Sequence, residues 1–242
     1  MRFLRLSILF VVCAGLTGLG FAATPKNRAQ SNPVTVLELF TSQGCSSCPA
    51  ANKFVRETAR ANNGVGDVLT LSYSVDYWDY LGWKDTFGKP EFSAHQRAYG
   101  VQFDGQVYTP QMVINGAVHS ARFSNKKVRA HTLDNRPKIT IVANGDMLNI
   151  HIRADPTGKK PLNVMTVRYQ PGIQSVPVKR GENRGRTISL ANVVQACKEI
   201  GYIKTGGSFD QQIPIPTAGE AIVIIVQDGK GGPILSAANF TP

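Results

Sequence analysis

Cys45 and Cys48, separated by Ser46 and Ser47, are the residues whose types and spacing are best suited to chemistry. In the first turn of a helix, residues three apart come within disulfide reach. Unpaired N–H groups and the positive end of the helix dipole favour a thiolate there. The more N-terminal thiol is thereby drawn below its ordinary value of roughly 8.5. Cys45 then reads as the attacking nucleophile. Cys48 reads as the resolving thiol, which closes the disulfide and releases the mixed-disulfide partner. Two other readings stay open, an inert disulfide that staples the helix start and a metal site. Tetrahedral zinc needs two more ligands, yet there is no second close cysteine pair, and His95, His119, His131 and His151 are scattered singly. No metal ligand set and no other cofactor is assigned.

Further candidates lie downstream. Thr109-Pro110 immediately precedes an apolar run, and a proline at a strand start is an edge residue or a deliberate turn. Asp76-Tyr77-Trp78-Asp79-Tyr80 offers aromatic rings with polar tips, suited to a binding lip or to an Ω-loop covering the core. Asp76 and Trp78 are its candidate substrate contacts. Cys197 falls in the series Leu190, Val193, Val194, Cys197 and Ile200, the spacing of a core-facing helix stripe, and reads as a buried free thiol. Lys179, Arg180, Arg184 and Arg186, interrupted by Gly181 and Gly185, form either an anion site or a solvated loop.

These residues need elements to position them. Residues 34–40 have the Val/Leu/Phe content of a buried strand, carrying the single charge of Glu38. Pro49 opens a helical pattern that Asn62-Asn63-Gly64 ends, and a strand over 68–75 follows. Strand, cysteine turn, helix and strand in that order favour parallel pairing, with residues 76–80 at the same sheet edge as Cys45. A helix over 89–99 comes next, then a hairpin of 111–114 with 117–120 across Asn115-Gly116, then a short helix over 125–132. Beyond Arg136-Pro137 the texture changes to strands at 139–142, 147–152, 164–169 and 221–227, with one amphipathic helix expected over 189–200.

Arg2 and Arg5 precede an apolar run ending in small residues near 22, the pattern of a secretory signal peptide over 1–22. Removing both arginines lowers the formal charge from +11 to +9, because no acidic residue precedes position 24. A basic balance can favour anionic partners, but no nucleic-acid motif is present, and no stable membrane span is expected after cleavage. Periplasmic or secreted placement follows, where disulfides persist.

A CXXC at a strand-to-helix junction, with a Thr-Pro opening a hairpin strand about 60 residues on, resembles the thioredoxin fold. The runs 36–49, 75–84 and 180–187 narrow the likeness to the domain-of-unknown-function family 1223 of exported proteins. That resemblance implies a cis Thr109-Pro110 bond and a redox-type pair at Cys45 and Cys48. It also implies a platform at Thr109 for an extended substrate peptide, and a position for Glu38 similar to the buried acid that moves protons in thioredoxins. The expected fold is an α/β thioredoxin-like N-terminal domain over 33–135, then a mainly antiparallel, sandwich-like β domain with one helix over 137–242. The expected function is thiol-disulfide exchange with a disulfide-containing protein or a small thiol, its direction open. A non-enzymatic binding module with a structural disulfide is the alternative, and a metal-delivery role a further one.

Overall fold

A computed structural model describes residues 30–62, 67–153 and 161–242. The leader expected at 1–22 lies outside the described residues. In chain order the elements are β1 (Gln30–Ser31), β2 (Thr35–Thr41), α1 (Cys48–Ala61), β3 (Val68–Ser74), a 3-10 turn (Asp79–Leu81) and α2 (Pro90–Gly100). There follow β4 (Gln111–Ile114), β5 (Val118–Ser120), α3 (Asn125–Arg129), β6 (Ile139–Asn144), β7 (Met147–Arg153) and β8 (Leu162–Pro177). The chain closes with β9 (Thr187–Ile203), β10 (Ser208–Pro214), β11 (Ala221–Gln227) and β12 (Ile234–Phe240).

Nine of these strands form one mixed sheet in the order β1-β12-β11-β8-β9-β3-β2-β4-β5, and β10-β7-β6 form a second sheet of three. Every residue of β2, β3 and β11 is buried, as central strands covered on both faces require. Period-two alternation divides β2. Val36 and Phe40 face a core shared with Phe92 and Tyr99 of α2, while Leu37 and Leu39 face Ala51 and Val55 of α1. The three-stranded sheet packs Ile141, Leu148 and Ile150 against Ile222, Ile224 and Val226 of β11.

This architecture overturns the expected thioredoxin-like α/β fold. The structure is mostly β with few helices, and its large sheet continues from the first half of the chain into the second. β3 pairs in parallel with β9 at Ser72 and Val193, and one core joins Leu71 and Tyr73 to Val167, Val194, Val223 and Ile225. Asn192 Nδ2 donates to the Thr70 carbonyl (3.0 Å), and Ser72 Oγ donates to that of Ala191 (2.7 Å), sealing the junction.

The helix expected over 189–200 is instead part of the 17-residue strand β9. Register shifts against β8 leave Gln195 and Ile200 as extra residues on β9. Each extra residue breaks the period-two alternation. The apolar positions therefore fall at intervals of three and four, which mimic a helix stripe.

Candidate functional site

β2 ends at Thr41, the chain turns through residues 42–47, and Cys48 is the first residue of α1. Pro49 suits the opening turn because its missing N–H would have no partner there. Cys45 and Cys48 are joined as a disulfide, with Cα atoms 5.4 Å apart. Backbone bonds from Cys45 N to Ser42 O and from Cys48 N to Cys45 O, both 3.2 Å, set the turn. The pair is well covered: Cys45 is 2% and Cys48 0% exposed, whereas Ser46 and Ser47 lie on the surface. The Ser47 hydroxyl lies 3.3 Å from the Cys45 sulfur.

Three loops enclose this turn. The first follows β3. Asp85 accepts from the backbone N–H of Gln43 (2.7 Å) and of Phe87 (2.9 Å), and Trp83 Nε1 donates to Gln43 Oε1 (2.8 Å). Burial pushes the Asp85 carboxyl above its ordinary value, with the two N–H bonds pulling the other way. Trp78 packs on Gly44 so closely that a β-carbon there would lie 3.3 Å from Trp78 Cβ.

The second loop carries Thr109-Pro110, whose peptide bond is cis. Trp78 Nε1 donates to Thr109 Oγ1 (2.6 Å), and Ser47 Oγ reaches the Thr109 carbonyl at 3.5 Å. Beside this contact opens a groove of about 450 Å³. Ser47, Phe54, Pro110, Met112 and Phe123 form its largely apolar wall, and Arg122 supplies the charge.

The third loop comes from the other half of the chain. β8 and β9 pair as far as Pro177 and Thr187, and the hairpin tip beyond them, residues 178–186, lies on the cysteine turn. Asn183, fully buried, donates through Nδ2 to the carbonyls of Gln43 (2.9 Å) and Cys45 (2.8 Å). Glu182 Oε2 accepts from the backbone N–H of Ser46 at 3.1 Å. Sequence reasoning treated this stretch as a basic cluster and missed both residues. The usable signal was the spacing of Gly181 and Gly185, which marks a shaped turn rather than a solvated run.

Of the residues singled out in the sequence, the structure brings together Cys45, Cys48, Trp78, Thr109 and Pro110. Asp76, partly buried just beyond β3, does not line this groove; its carboxylate accepts from Ser93 Oγ at 2.5 Å and ties the loop to α2. Glu38 is elsewhere: it shares the Val36 and Phe40 face of β2, fully buried, and bonds His95 Nε2 (3.0 Å) and the Tyr99 hydroxyl (2.5 Å). Among the described residues no hydrogen bond or ion pair joins it to either cysteine. Burial, with the Glu38 carboxylate next, holds the Tyr73 and Tyr99 hydroxyls well above the ordinary tyrosine range.

Cys197 lines a separate cavity of about 200 Å³ with Glu91, His95 and Asn163. Burial, with Glu91 next, pushes its thiol up to about 12. Among the described residues no group of three or more His, Cys, Asp or Glu side chains is arranged to hold a metal ion.

Residues 36–227 match the family described as Protein of unknown function (DUF1223). Among solved structures, the chain is similar to protein AGR_C_4864 from Agrobacterium tumefaciens, at 29% identity over 88% of this chain and 96% of that one, with a TM-score of 0.64. It is also similar in fold to HBP35 of Porphyromonas gingivalis, at 14% identity over 86% of this chain and 75% of that one, with a TM-score of 0.59. Both likenesses run across the two halves of the chain. No curated protein matches it.

Proposed function

The chain belongs to the DUF1223 family, and on that premise we propose that it exchanges thiols and disulfides through Cys45 and Cys48. The observation that carries this reading is the disulfide at the start of α1, whose Ser47 neighbour shares a groove wall with Thr109 and Pro110. A substrate approaching through that groove meets the turn from its open side. Its thiolate attacks Cys45 Sγ, the Cys45–Cys48 bond breaks, and Cys48 leaves as a thiolate. A second substrate thiolate then attacks the substrate sulfur of the mixed disulfide and releases Cys45. The substrate loses two electrons, the cysteine pair gains them, and the protons shed by the substrate thiols are taken up by the pair or by solvent. The same steps in reverse reduce a substrate disulfide.

The partner is a small thiol or a disulfide-containing protein that presents an apolar residue to Phe54 and Phe123. Nucleic acid and a stable membrane span have no part in the reading. Export to the periplasm or beyond suits it, because a disulfide persists there. The wild-type protein should catalyse exchange of a model disulfide and Cys45→Ser should not; equal rates for the two would overturn the proposal.

The near-complete cover of both sulfurs favours a second reading, a binding module stapled by a structural disulfide. Under that reading the native pair resists glutathione, and the groove binds its ligand equally well in Cys45→Ser.

A further inference from the structure

We infer that the tip of the β8–β9 hairpin sets the redox balance of the cysteine pair, with Glu182 as the positioning residue that disfavours a thiolate at Cys45. The inference rests on the exchange chemistry proposed above. The Ser46 N–H is adjacent to Cys45 at the start of α1, where unpaired amides would stabilise a negative sulfur. Glu182 already occupies that N–H with a carboxylate oxygen at 3.1 Å.

The carboxylate is presented by a built frame rather than by a loose loop. The neck of the tip is closed by Val178 N to Arg186 O and Gly185 N to Val178 O, each 2.9 Å. Val178 is buried with Ile188, Leu190 and Val193, and Trp83 and Phe87 pack against them. Gly181, at φ +73°, lets the backbone settle where a β-carbon would lie 3.4 Å from Leu81 O and Trp83 Cβ. Next to Glu182, Asn183 clamps Gln43 and Cys45, and its own Oδ1 accepts from Arg186 Nη1 at 3.2 Å.

When the disulfide is reduced and Cys45 ionises, its sulfur shares the turn with this carboxylate. Like charges disfavour one another, so the Cys45 thiol is held higher than the helix start alone would hold it. Stabilising the reduced thiolate is what makes such a pair oxidising, and Glu182 works against that. Of the other charged groups nearby, Asp85 accepts from the Gln43 N–H of the turn and Asp79 in turn from Asp85 N, Arg122 lines the groove that Ser47 borders, and Arg180, Arg184 and Arg186 belong to the tip itself. Arg186 is already engaged with Asn183. Of the carboxylates, Glu182 is the one that meets the exposed side of the turn.

The test is Glu182→Gln, which keeps an oxygen to accept from Ser46 and removes only the charge. Two readouts apply: the equilibrium of the pair in glutathione buffers, and the pH profile of Cys45 alkylation after forced reduction. The variant should shift the equilibrium about threefold toward the dithiol, the scale expected of one exposed charge. It should lower the pH at which Cys45 reacts, and both differences should shrink at high salt. A variant matching wild type in the alkylation profile, or moved the opposite way, would overturn the inference. Failure of the wild-type pair to equilibrate with glutathione would instead sink the exchange reading, while the alkylation profile would still report on Glu182.

Discussion

Asn183 donates to the carbonyl of Cys45 at 2.8 Å from 138 positions further along the chain. The same amide nitrogen holds Gln43 O at 2.9 Å, so one buried side chain fixes the turn on both sides of Gly44. The second half of the protein is therefore structurally part of the cysteine site.

Asn183→Ala removes both bonds and leaves two covered carbonyls without that donor. Unmet buried polar groups cost about 1–3 kcal/mol each, so the oxidised protein should lose roughly 2–3 kcal/mol in chemical denaturation. A loss within about 0.5 kcal/mol, the range of ordinary surface changes, would show that the clamp is incidental.

Gly181 and Gly44 test close approach. Gly181→Ala places a β-carbon at φ +73° against Leu81 and Trp83, and a left-handed non-glycine residue costs about 1–2 kcal/mol. Gly44→Ala crowds Trp78, so its first effect should be a change in tryptophan emission of the folded protein. Unchanged emission would mean that Trp78 gives way freely.

Asp85 links the site to pH. Burial raises its carboxyl above the ordinary 3.8, so the folded chain binds that proton more tightly than the unfolded chain does. Its contribution to stability is full below the unfolded value and is lost as pH rises through the folded value. Melting temperature followed from acid toward neutral pH should carry this decline, and Asp85→Asn should flatten it. Parallel curves for the two proteins would exclude Asp85 as the source.

Cys197 should stand apart from the exchange. With its thiol raised from 9.0 to about 12, little thiolate exists at neutral pH. Iodoacetamide labelling of the folded, oxidised protein at pH 8 should be about 1,000-fold slower than that of a cysteine peptide. Labelling at the peptide rate would contradict the burial that accounts for the shift.

The part of this site made of neighbouring residues was legible in the sequence. An apolar strand, Gly44, a CXXC and Pro49 in succession led to the observed β2, turn and α1, and Asn115-Gly116 marked the β4–β5 hairpin. Residues 189–200 were misread because bulges at Gln195 and Ile200 give a long strand the apolar spacing of a helix. With that strand hidden, neither the continuous sheet nor the hairpin tip over Cys45 could be foreseen. The surroundings of Glu38 were hidden for a related reason: its spacing from Cys45 says nothing of the face it takes, and alternation along β2 sends it toward α2. Local chemistry is written in neighbouring residues, whereas Asn183 and Glu182 reach the site through a register set by 16 and 17 residues of strand.

The most direct test of the account is to trap the mixed disulfide. Cys48→Ser, reacted in its folded state with an aromatic disulfide reagent and digested for peptide mapping, should carry the aromatic thiol on Cys45. Cys45→Ser, treated identically, should leave Cys48 unmodified. Modification of Cys48 ahead of Cys45, or of neither until denaturant is added, would contradict the claim that Cys45 is the exchanging sulfur of the folded protein.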